Sequence, residues 1–270
     1  MDNVEKDLVH DFWNAASCGE DLYMVGEDTK IQFQNQMAER YRLEPYILDF
    51  ADFDHAKGKK ILEIGVGLGS DHQKFAENGA DLYGCDLTER AVENTQKRLS
   101  LFGLSSKVQV DDAENLSYED NTFDMVYSWG VIHHSPKTAE CAAQIHRVLK
   151  TGGSAKVMIY YKYSMVGYML WLRYALLKLK PFTSLDEIYS RYLESPGTKA
   201  YTIEGAKALF KDFKDVKITT VLTHGDLLSS NAGQRHRGAL LTIAKSLYPR
   251  AIIKALFPRN GLFMLIEARK

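Results

Sequence analysis

The sequence predicts an α/β fold in which helices cover both faces of a largely parallel sheet, a doubly wound arrangement. Three observations predict it. Short apolar runs alternate with helical segments through the first 162 residues, and the first apolar run breaks directly into a glycine-rich loop. The chain has 270 residues, 45% of them hydrophobic and 26% charged, which is enough for a large core. Strands that alternate with helices in this way are typical of βαβ units.

The elements follow in order along the chain. Two amphipathic helices at 4–16 and 30–52 form a predicted helical cap over residues 1–57. The predicted core, 58–162, has a strand and glycine loop at 59–71, further strands at 80–88, 107–116, 123–130 and 154–162, and helices at 72–79, 89–103 and 137–153. A helix at 203–213 and strands at 215–222 and 261–269 complete a seven-stranded layout within one domain, 1–270.

Two insertions interrupt this regular alternation, at 163–202 and at 223–260. The first begins with a predicted helix at 164–182 that is apolar almost all round. Since the insertions are the least generic part of the chain, we expect them to determine substrate specificity.

Charge is distributed unevenly along the chain. Residues 1–150 contain 15 Lys and Arg against 27 Asp and Glu, whereas residues 151–270 contain 19 against 8. The basic half either meets an anionic substrate or membrane surface, or complements the acidic half within the fold or a dimer. Three dispersed cysteines without a CxxC pair predict neither disulfides nor zinc. With an acidic start and no long apolar run, the sequence predicts a soluble, cytoplasmic protein.

The glycine loop contains Gly65, Gly67 and Gly69 directly after the first strand. Glycines allow a sharp turn and let a ligand approach the main chain. The spacing differs from the GxGxxG of dinucleotide folds, and the GK[ST] of a phosphate loop is absent. Because the loop lacks basic residues and is flanked by Glu63 and Asp71, it suits a cationic ligand.

Acidic residues also end the next two strands. Asp86 follows the second strand, where a carboxylate can accept hydrogen bonds from both hydroxyls of a ribose. Asp112 follows the third, placed to accept from an adenine amino group, and Ala113 offers a backbone N–H. In open α/β sheets, ligands bind at this carboxyl edge.

Four segments resemble successive motifs of class I S-adenosylmethionine-dependent methyltransferases: "ILEIGVGLGSD", "GCDLTERAVE", "DAENLSYEDNTFDMVYSWGVIHHSP" and "IHRVLKTGG". They are most similar to the branch that modifies small molecules, including the quinone-biosynthesis enzymes. The resemblance implies a Rossmann-like sheet with an antiparallel seventh strand, S-adenosyl-L-methionine as cofactor, and a role in small-molecule or natural-product biosynthesis.

The same resemblance implies roles for individual residues. It places Glu63, Gly65, Gly67 and Gly69 along the methionine part of the cofactor, Asp86 on the ribose, Leu87, Asp112 and Ala113 around the adenine, and Ser128 and Trp129 beneath the methionine moiety. Asp71, which follows the last glycine, is a further cofactor-binding candidate. Tyr23, Arg40 and Arg42 are candidates for the cofactor carboxylate, with surface or packing roles as the alternative.

Methyl transfer from a sulfonium is an in-line displacement, so a hydroxyl or carbon-acid acceptor needs a base. His134 is the candidate base because it follows strand four; the alternative is a packing or capping role. His133 is favoured as a packing residue and is otherwise a substrate-side candidate. A metal site is not expected, because adjacent histidines chelate poorly and lack nearby partners.

The acceptor is expected to be a small anionic or amphiphilic metabolite. Arg235, His236 and Arg237 form a candidate anion clamp or, alternatively, a solvated turn, and Lys199 and Tyr201 are further substrate candidates. The apolar basic stretches 164–182 and 239–257 are favoured as a lid or dimer contact over a membrane contact. Nucleic acid is not an expected partner. The alternatives to methyl transfer are other chemistry on the same cofactor, such as cyclisation, and a non-catalytic binding protein.

Overall fold

The computed structural model describes residues 2–17, 19, 20, 24, 28–230 and 248–270. A sheet of seven strands occupies its centre, in the order β3-β2-β1-β4-β5-β7-β6. The strands are β1 (Lys60–Ile64), β2 (Asp81–Asp86), β3 (Lys107–Val110), β4 (Phe123–Trp129), β5 (Leu149–Tyr160), β6 (Lys214–Val221) and β7 (Phe263–Arg269).

The first five strands pair in parallel, and β7 runs antiparallel to both β5 and β6. This arrangement confirms the predicted α/β sheet with an antiparallel seventh strand. The strand order reverses between β1 and β4, so the loops that follow these two strands diverge. Such a switch point opens a crevice at the carboxyl ends of the strands.

Ten helices are described: α1 (Asp2–Ala15), α2 (Thr29–Leu43), α3 (Tyr46–Ala51), α4 (Ser70–Glu77), α5 (Glu89–Leu101), α6 (Thr138–Val148), α7 (Met165–Tyr174), α8 (Leu185–Tyr192), α9 (Ile203–Leu209) and α10 (Arg250–Leu256). Short 3-10 turns follow at Phe53–His55 and Leu176–Lys178. Among the described residues, no helix is both long and apolar enough to cross a bilayer.

The helix predicted over 30–52 is two helices, because Pro45 interrupts it. The Glu44 N–H closes α2 by donating to the Arg40 carbonyl, at an N–O distance of 2.8 Å. Pro45 has no N–H to continue the ladder, and the chain turns before α3.

The third strand is shorter than the predicted 107–116 and ends at Val110. The Asp111 carboxylate accepts from both the backbone N–H and the hydroxyl of Ser117, at 3.0 and 2.8 Å. Side-chain bonds of this kind close a local turn in place of strand pairing. Asp112 and Ala113 therefore lie in a turn beyond the strand, still at the carboxyl edge of the sheet.

The helices predicted over 137–153 and 164–182 also end early. Strand β5 begins at Leu149 and takes up the glycines that were expected to cap α6. Helix α7 ends at Tyr174 with Ala175 as its C-cap, and the 3-10 turn that follows ends at Leu179, which has a left-handed φ of +57°. An α-helix cannot continue through such a residue.

Two apolar clusters sandwich the sheet. Successive residues of β1 point to opposite faces, so that Leu62 and Ile64 belong to one cluster and Ile61 to the other. Cys85 and Cys141 are buried free thiols on the first of these faces. The sheet is thus buried on both sides, and its carboxyl edge is held rigidly where the site is expected.

Candidate active site

A cleft opens at the carboxyl ends of β1, β2 and β4, at the switch point of the sheet. This first cleft contains about 940 Å³ of empty space. It is lined by eight of the residues that the sequence singled out: Gly65, Gly67, Asp86, Leu87, Asp112, Ala113, Trp129 and His134. Residues spread over half of the core sequence therefore share one cavity.

The glycine loop requires glycine for two different reasons. Gly65 and Gly69 have φ of +82° and +74°, and a Cβ on Gly65 would lie 2.1 Å from a methyl carbon of Val131. Gly67 also has a positive φ, but no atom lies within 4 Å of the position its Cβ would take. Because Gly67 lines the first cleft, this open space is a cradle in which a ligand can contact the backbone.

Asp86 connects the end of β2 to the glycine loop. Its carboxylate accepts from the Thr88 backbone N–H at 3.0 Å, the Thr88 hydroxyl at 2.9 Å and the Gly67 N–H at 3.2 Å. Burial raises the pKa of this carboxyl, although the hydrogen bonds oppose the shift. A carboxylate has about four acceptor sites, so it retains capacity for a ligand hydroxyl.

Lys6 lines the first cleft beside Asp112 and Glu114. It is not among the residues that the sequence predicts for the site. Its Nζ lies 2.6 Å from Asp112 Oδ2 and 2.5 Å from Glu114 Oε2. Burial opposes the charge of Lys6, but the hydrogen bonds to the two carboxylates raise its pKa. The pKa of Glu114 is lowered in turn: burial works against this shift, and Lys6 and Ser135 produce it. The acidic turn after β3 is thereby tied to the N-terminal helix.

Helix α1 supplies one wall of the first cleft. Lys6, Val9 and Trp13 all line it, and their spacing of three and four residues places them on one face of the helix. Two hydrogen bonds hold the helix against α5. The Arg90 N–H donates to the Asn14 side chain at 3.2 Å, and His10 Nε2 lies 3.1 Å from Glu89 Oε2. That spacing was the available sequence signal, but the sequence predicted only a general helical cap.

The methionine end of the predicted site is closed by a buried ion cluster. Asp71 accepts from Arg40 Nε and Nη2 at 3.1 and 2.6 Å, and from the hydroxyls of Tyr41 and Tyr127 at 3.0 and 2.8 Å. Burial opposes ionisation of Asp71, but Arg40 keeps its pKa below the usual value. The Arg40 guanidinium lies 5.9 Å from the Trp129 ring centroid. Arg40 and Asp71 thus lie behind Trp129 and line neither cleft described here.

Other residues predicted near the methionine moiety also lie behind the cleft wall. Glu63 Oε2 is 2.8 Å from Nδ1 of the buried His72, and burial together with the Asp71 charge raises the pKa of Glu63 well above normal. Ser128 is fully buried, and its hydroxyl has no hydrogen-bond partner among the described residues. Arg42 is exposed and pairs with Glu39 at 2.6 Å.

A buried arginine, also missed in the sequence, holds the glycine loop against α2. Arg98 is fully buried and donates to the Leu68 carbonyl at 2.8 Å, the Phe33 carbonyl at 2.7 Å and the Gln73 side chain at 2.7 Å. Burial lowers its pKa to about 10, so it remains charged at neutral pH. No motif marks this residue, because its partners come from distant segments.

His134 lies at the first turn beyond β4, with its two ring nitrogens in different surroundings. Nδ1 is 2.8 Å from Ser195 Oγ and 3.1 Å from Thr198 Oγ1. Since the Thr198 hydroxyl donates to the Ser195 carbonyl at 2.6 Å, it can only accept from His134, which favours a proton on Nδ1. Nε2 then carries the lone pair; it has no hydrogen-bond partner among the described residues and lies 3.5 Å from Glu194 Oε2. Burial lowers the pKa of His134 to about 3.

His133 packs inside the protein and lines neither cleft. Its ring centroid is 4.0 Å from that of Tyr160 and 4.2 Å from that of His134. Burial lowers its pKa well below normal, and the neighbouring His134 and Lys199 add to the shift. The two adjacent histidines therefore differ in access to the first cleft, not in charge.

A second cleft, with about 1400 Å³ of empty space, lies on the other side of His134. Its walls come from α1, α8 and the loop 196–201, and both Lys199 and Tyr201 line it. Lys199 Nζ donates to the carbonyls of Ser135 and Pro136 at 2.7 and 2.6 Å. Three residues line both clefts: Val9, His134 and Pro136.

Four predicted site residues lie outside the described residues: Tyr23, Arg235, His236 and Arg237. Within the described ranges, no group of three or more His, Cys, Asp or Glu side chains is placed to hold a metal ion.

Comparison with known families agrees with this geometry. A family model described as a methyltransferase domain matches residues 62–157, which include the last three residues of β1, the glycine loop, Asp86, Asp112 and His134. Residues 62–157 are a class I S-adenosylmethionine-dependent methyltransferase domain. The cofactor of this domain is S-adenosylmethionine, and the first cleft lies at the edge of the sheet formed by its strands.

Two curated methyltransferases are similar to parts of this chain. Phosphoethanolamine N-methyltransferase 2 of Caenorhabditis elegans is 34% identical over 115 residues, or 42% of this chain and 26% of that protein. Sterol 24-C-methyltransferase of Saccharomyces cerevisiae is 24% identical over 162 residues, or 56% of this chain and 40% of that protein. The matched segments thus span less than half of either relative.

The methyltransferase domain and its surroundings also share a fold with solved structures. Phosphoethanolamine N-methyltransferase 2 of Haemonchus contortus superimposes with a TM-score of 0.60 at 19% identity, covering 97% of this chain and 60% of that chain. This likeness therefore extends beyond residues 62–157.

Proposed function

We propose that the protein transfers a methyl group from S-adenosylmethionine to a small amphiphilic or anionic metabolite. One observation carries the proposal: His134 belongs to the walls of both clefts, and its Nε2 has no hydrogen-bond partner among the described residues. An acceptor in the second cleft would therefore meet the cofactor beside a neutral imidazole.

The residues of the first cleft fit the cofactor. Bound there, S-adenosylmethionine supplies a methyl group activated by a positively charged sulfur. The cradle at Gly67 suits a ligand that approaches the backbone closely, and Asp86 suits a ribose with two hydroxyls. On this proposal, Leu87, Ala113 and Asp112 hold the adenine, and Trp129 covers the methionine part.

His134 acts on the acceptor as a general base in this proposal. Its low pKa keeps the imidazole neutral throughout the physiological range, so Nε2 can accept a proton without first losing one. Ser195 and Thr198 fix the ring by holding Nδ1, and the edge of Trp13 packs against it at a centroid distance of 5.3 Å. The same low pKa makes the imidazolium a strong acid, so the proton must pass onward, and Glu194 is the nearest carboxylate.

The second cleft is the proposed acceptor site. Its walls combine apolar groups from α1, such as Leu8 and Val9, with the Lys199 ammonium and the Tyr201 side chain. Charged side chains of both signs also line it: Glu5, Asp186, Glu187 and Arg191. That mixture suits a ligand with an apolar body and an anionic or polar head. The curated relatives, named for a phosphorylated amine and for sterols, support acceptors of these two kinds. We propose a cytoplasmic setting, which agrees with the free thiols of Cys85 and Cys141.

Release of S-adenosylhomocysteine tests this function. The purified chain, incubated with S-adenosylmethionine and fractionated metabolite extracts, is expected to release S-adenosylhomocysteine together with a product 14 mass units heavier than its acceptor, since CH₂ is added overall. Asp86→Ala should weaken cofactor binding at least tenfold by calorimetry, whereas Asp81→Ala, at the exposed start of the same strand, should not. Consumption of the cofactor without S-adenosylhomocysteine would instead indicate non-methyl chemistry.

The variant His134→Gln tests whether His134 acts as a general base, separately from any role in cofactor binding. We expect the methylation rate to fall on the order of 10²-fold or more, as for loss of a general base, with cofactor affinity kept within about threefold. An unchanged rate between pH 6 and 9 would reduce His134 to packing and leave the cofactor assignment standing.

A further inference from the structure

The turn that follows α7 exposes an unusual amount of apolar surface. We define the apolar tip as residues 176–182, "LLKLKPF". Leu177, Leu179 and Phe182 are 69%, 91% and 99% exposed. Isolated exposed apolar residues are common on protein surfaces, but several large ones within seven residues indicate an interaction site.

The apolar tip has a fixed shape. The indole N–H of Trp171 donates to the Thr183 carbonyl at 3.0 Å, and the Ala175 carbonyl accepts from the backbone N–H groups of Lys178 and Lys180 at 3.1 and 2.9 Å. These bonds close the turn on itself, so the exposed side chains stand on a defined scaffold.

Leu179 is a poor choice for the fold alone. It has φ +57°, a conformation in which helix ends normally place glycine or asparagine. Its side chain is almost fully exposed, so the leucine gains no packing that would offset the backbone strain. Packing within the described residues therefore does not explain why a leucine stands at this position.

The exposed apolar surface continues from the tip onto α7. Tyr168 and Leu172 are exposed and lie eight and four residues before Leu176, respectively, which makes one stripe along the helix. Buried residues of α7 face the other way and pack on Ile188 of α8. The tip lines neither the first nor the second cleft, so it is not a lid over either of them.

Charge identifies the kind of partner. Residues 163–185 contain Arg173, Lys178 and Lys180 and no acidic residue, within a basic half of the chain. Lysines that alternate with exposed leucines place cationic heads beside apolar groups, which matches the headgroup and acyl layers of an anionic bilayer surface. We propose that the apolar tip and the outer face of α7 dock this protein on an anionic membrane surface, with Leu179 and Phe182 inserted among the lipids.

This docking has a consequence for the acceptor, which rests on the proposed function. The tip leads directly into α8, and four residues of α8 line the second cleft: Asp186, Glu187, Ser190 and Arg191. A protein docked through the tip would hold this cleft close to the bilayer surface. The acceptor class is then an amphiphile that partitions into the membrane interface.

Vesicle co-sedimentation tests the docking independently of catalysis. The full chain is mixed at low salt with vesicles of phosphatidylcholine alone or with 30% phosphatidylglycerol, and the expected result is stronger binding to the anionic vesicles that weakens as salt is added. Leu179→Asn and Phe182→Ser should each reduce binding at least tenfold, because each removes a large apolar group from the lipid. Asparagine tolerates the left-handed conformation, so Leu179→Asn should fold at least as well as the wild type.

Matched controls separate this proposal from its competitors. Ile31→Ser, which removes another large exposed apolar side chain far from the tip in sequence, should leave vesicle binding unchanged. Lys178→Glu with Lys180→Glu should abolish the preference for anionic vesicles. If the wild type binds neither vesicle, or if Leu179→Asn instead converts a dimer to a monomer by light scattering, the membrane proposal is overturned. Cofactor binding is measured on the same variants. If it is unchanged, the outcome for the membrane proposal does not bear on the proposed function.

Discussion

Two ion clusters flank the candidate site, one behind the wall of the first cleft and one within its lining, and they are built differently. At the methionine end, Asp71 is 3% exposed and is held by Arg40, Tyr41 and Tyr127, side chains from α2 and β4. At the adenine end, a single lysine from α1 bridges two carboxylates, Asp112 at 33% exposure and Glu114 at 6%. The two cations are about equally exposed, Arg40 at 23% and Lys6 at 25%, so the clusters differ mainly in how many side chains hold them and in the exposure of Asp112.

This difference indicates how a ligand exchanges. The methionine-end cluster cannot open without separating α2 from the sheet, so it is set before any ligand arrives. The adenine-end pair depends on one terminal helix, whose polar links to α5 are few and exposed. We expect α1 to be the part that moves when the cofactor enters and leaves.

Breaking the methionine-end cluster should have the largest effect. Arg40→Ala leaves Asp71 buried without its cationic partner, and loss of one member of a buried pair costs about 3–5 kcal/mol in the free energy of unfolding. Urea denaturation measures this. Arg42→Ala is the matched control on the same helix, since Arg42 is 64% exposed and pairs with nearby Glu39, and it should change stability by less than about 1 kcal/mol. Equal effects for the two arginines would contradict the comparison.

Lowering the pH should also destabilise the protein, through histidines that are buried in the folded state. Burial lowers the pKa of His72, beside Glu63, and of His134 to about 3 in the folded state, whereas the unfolded chain binds these protons near pH 6.5. Between these values the unfolded state holds more protons, so stability falls as pH falls through this window and is unaffected above it. Each histidine contributes a slope on the order of 1 kcal/mol per pH unit.

Urea midpoints at pH 7, 6, 5 and 4 measure this slope. His134→Gln should flatten it, and His55→Gln, at an exposed position, should leave it unchanged. A midpoint that stays constant from pH 7 to pH 4 would mean that the buried histidines are already protonated in the folded protein.

The sequence predicted the parts of the site that local structure determines. A strand followed by glycines locates the loop, and the alternation of strands and helices brings Asp86 and Asp112 to the same edge. It missed Lys6 and Arg98, because their partners are distant along the chain: 106 residues separate Lys6 from Asp112, and 65 separate Arg98 from Phe33. Tertiary packing, not local pattern, decides such contacts.

The same limit explains the errors in the helices. Apolar residues continue without interruption from 164 to 182, so periodicity gives no sign that the helix ends at Tyr174. The α-helix gives way at Ala175 to a 3-10 turn, and that turn ends at Leu179 in a conformation that leucine rarely adopts. A rule that expects glycine or asparagine at helix ends cannot find this boundary, and the apolar tip was therefore assigned to a helix.

Breaking the Lys6 bridge at the adenine end should have the smallest effect on stability, but it should speed release of the cofactor. Lys6→Ala removes a partly exposed bridge, so we expect a loss of about 1 kcal/mol or less in the free energy of unfolding. The cofactor should dissociate faster, by about fivefold for a contribution of about 1 kcal/mol. Stopped-flow displacement of a fluorescent cofactor analogue measures this rate, and Lys97→Ala, an exposed lysine of α5, is the control.

Because exposed ion pairs are screened by salt, 0.5 M NaCl should speed release of the cofactor from the wild type towards the rate of Lys6→Ala and should barely affect the variant. Equal release rates for Lys6→Ala and the control would place the moving element somewhere other than α1.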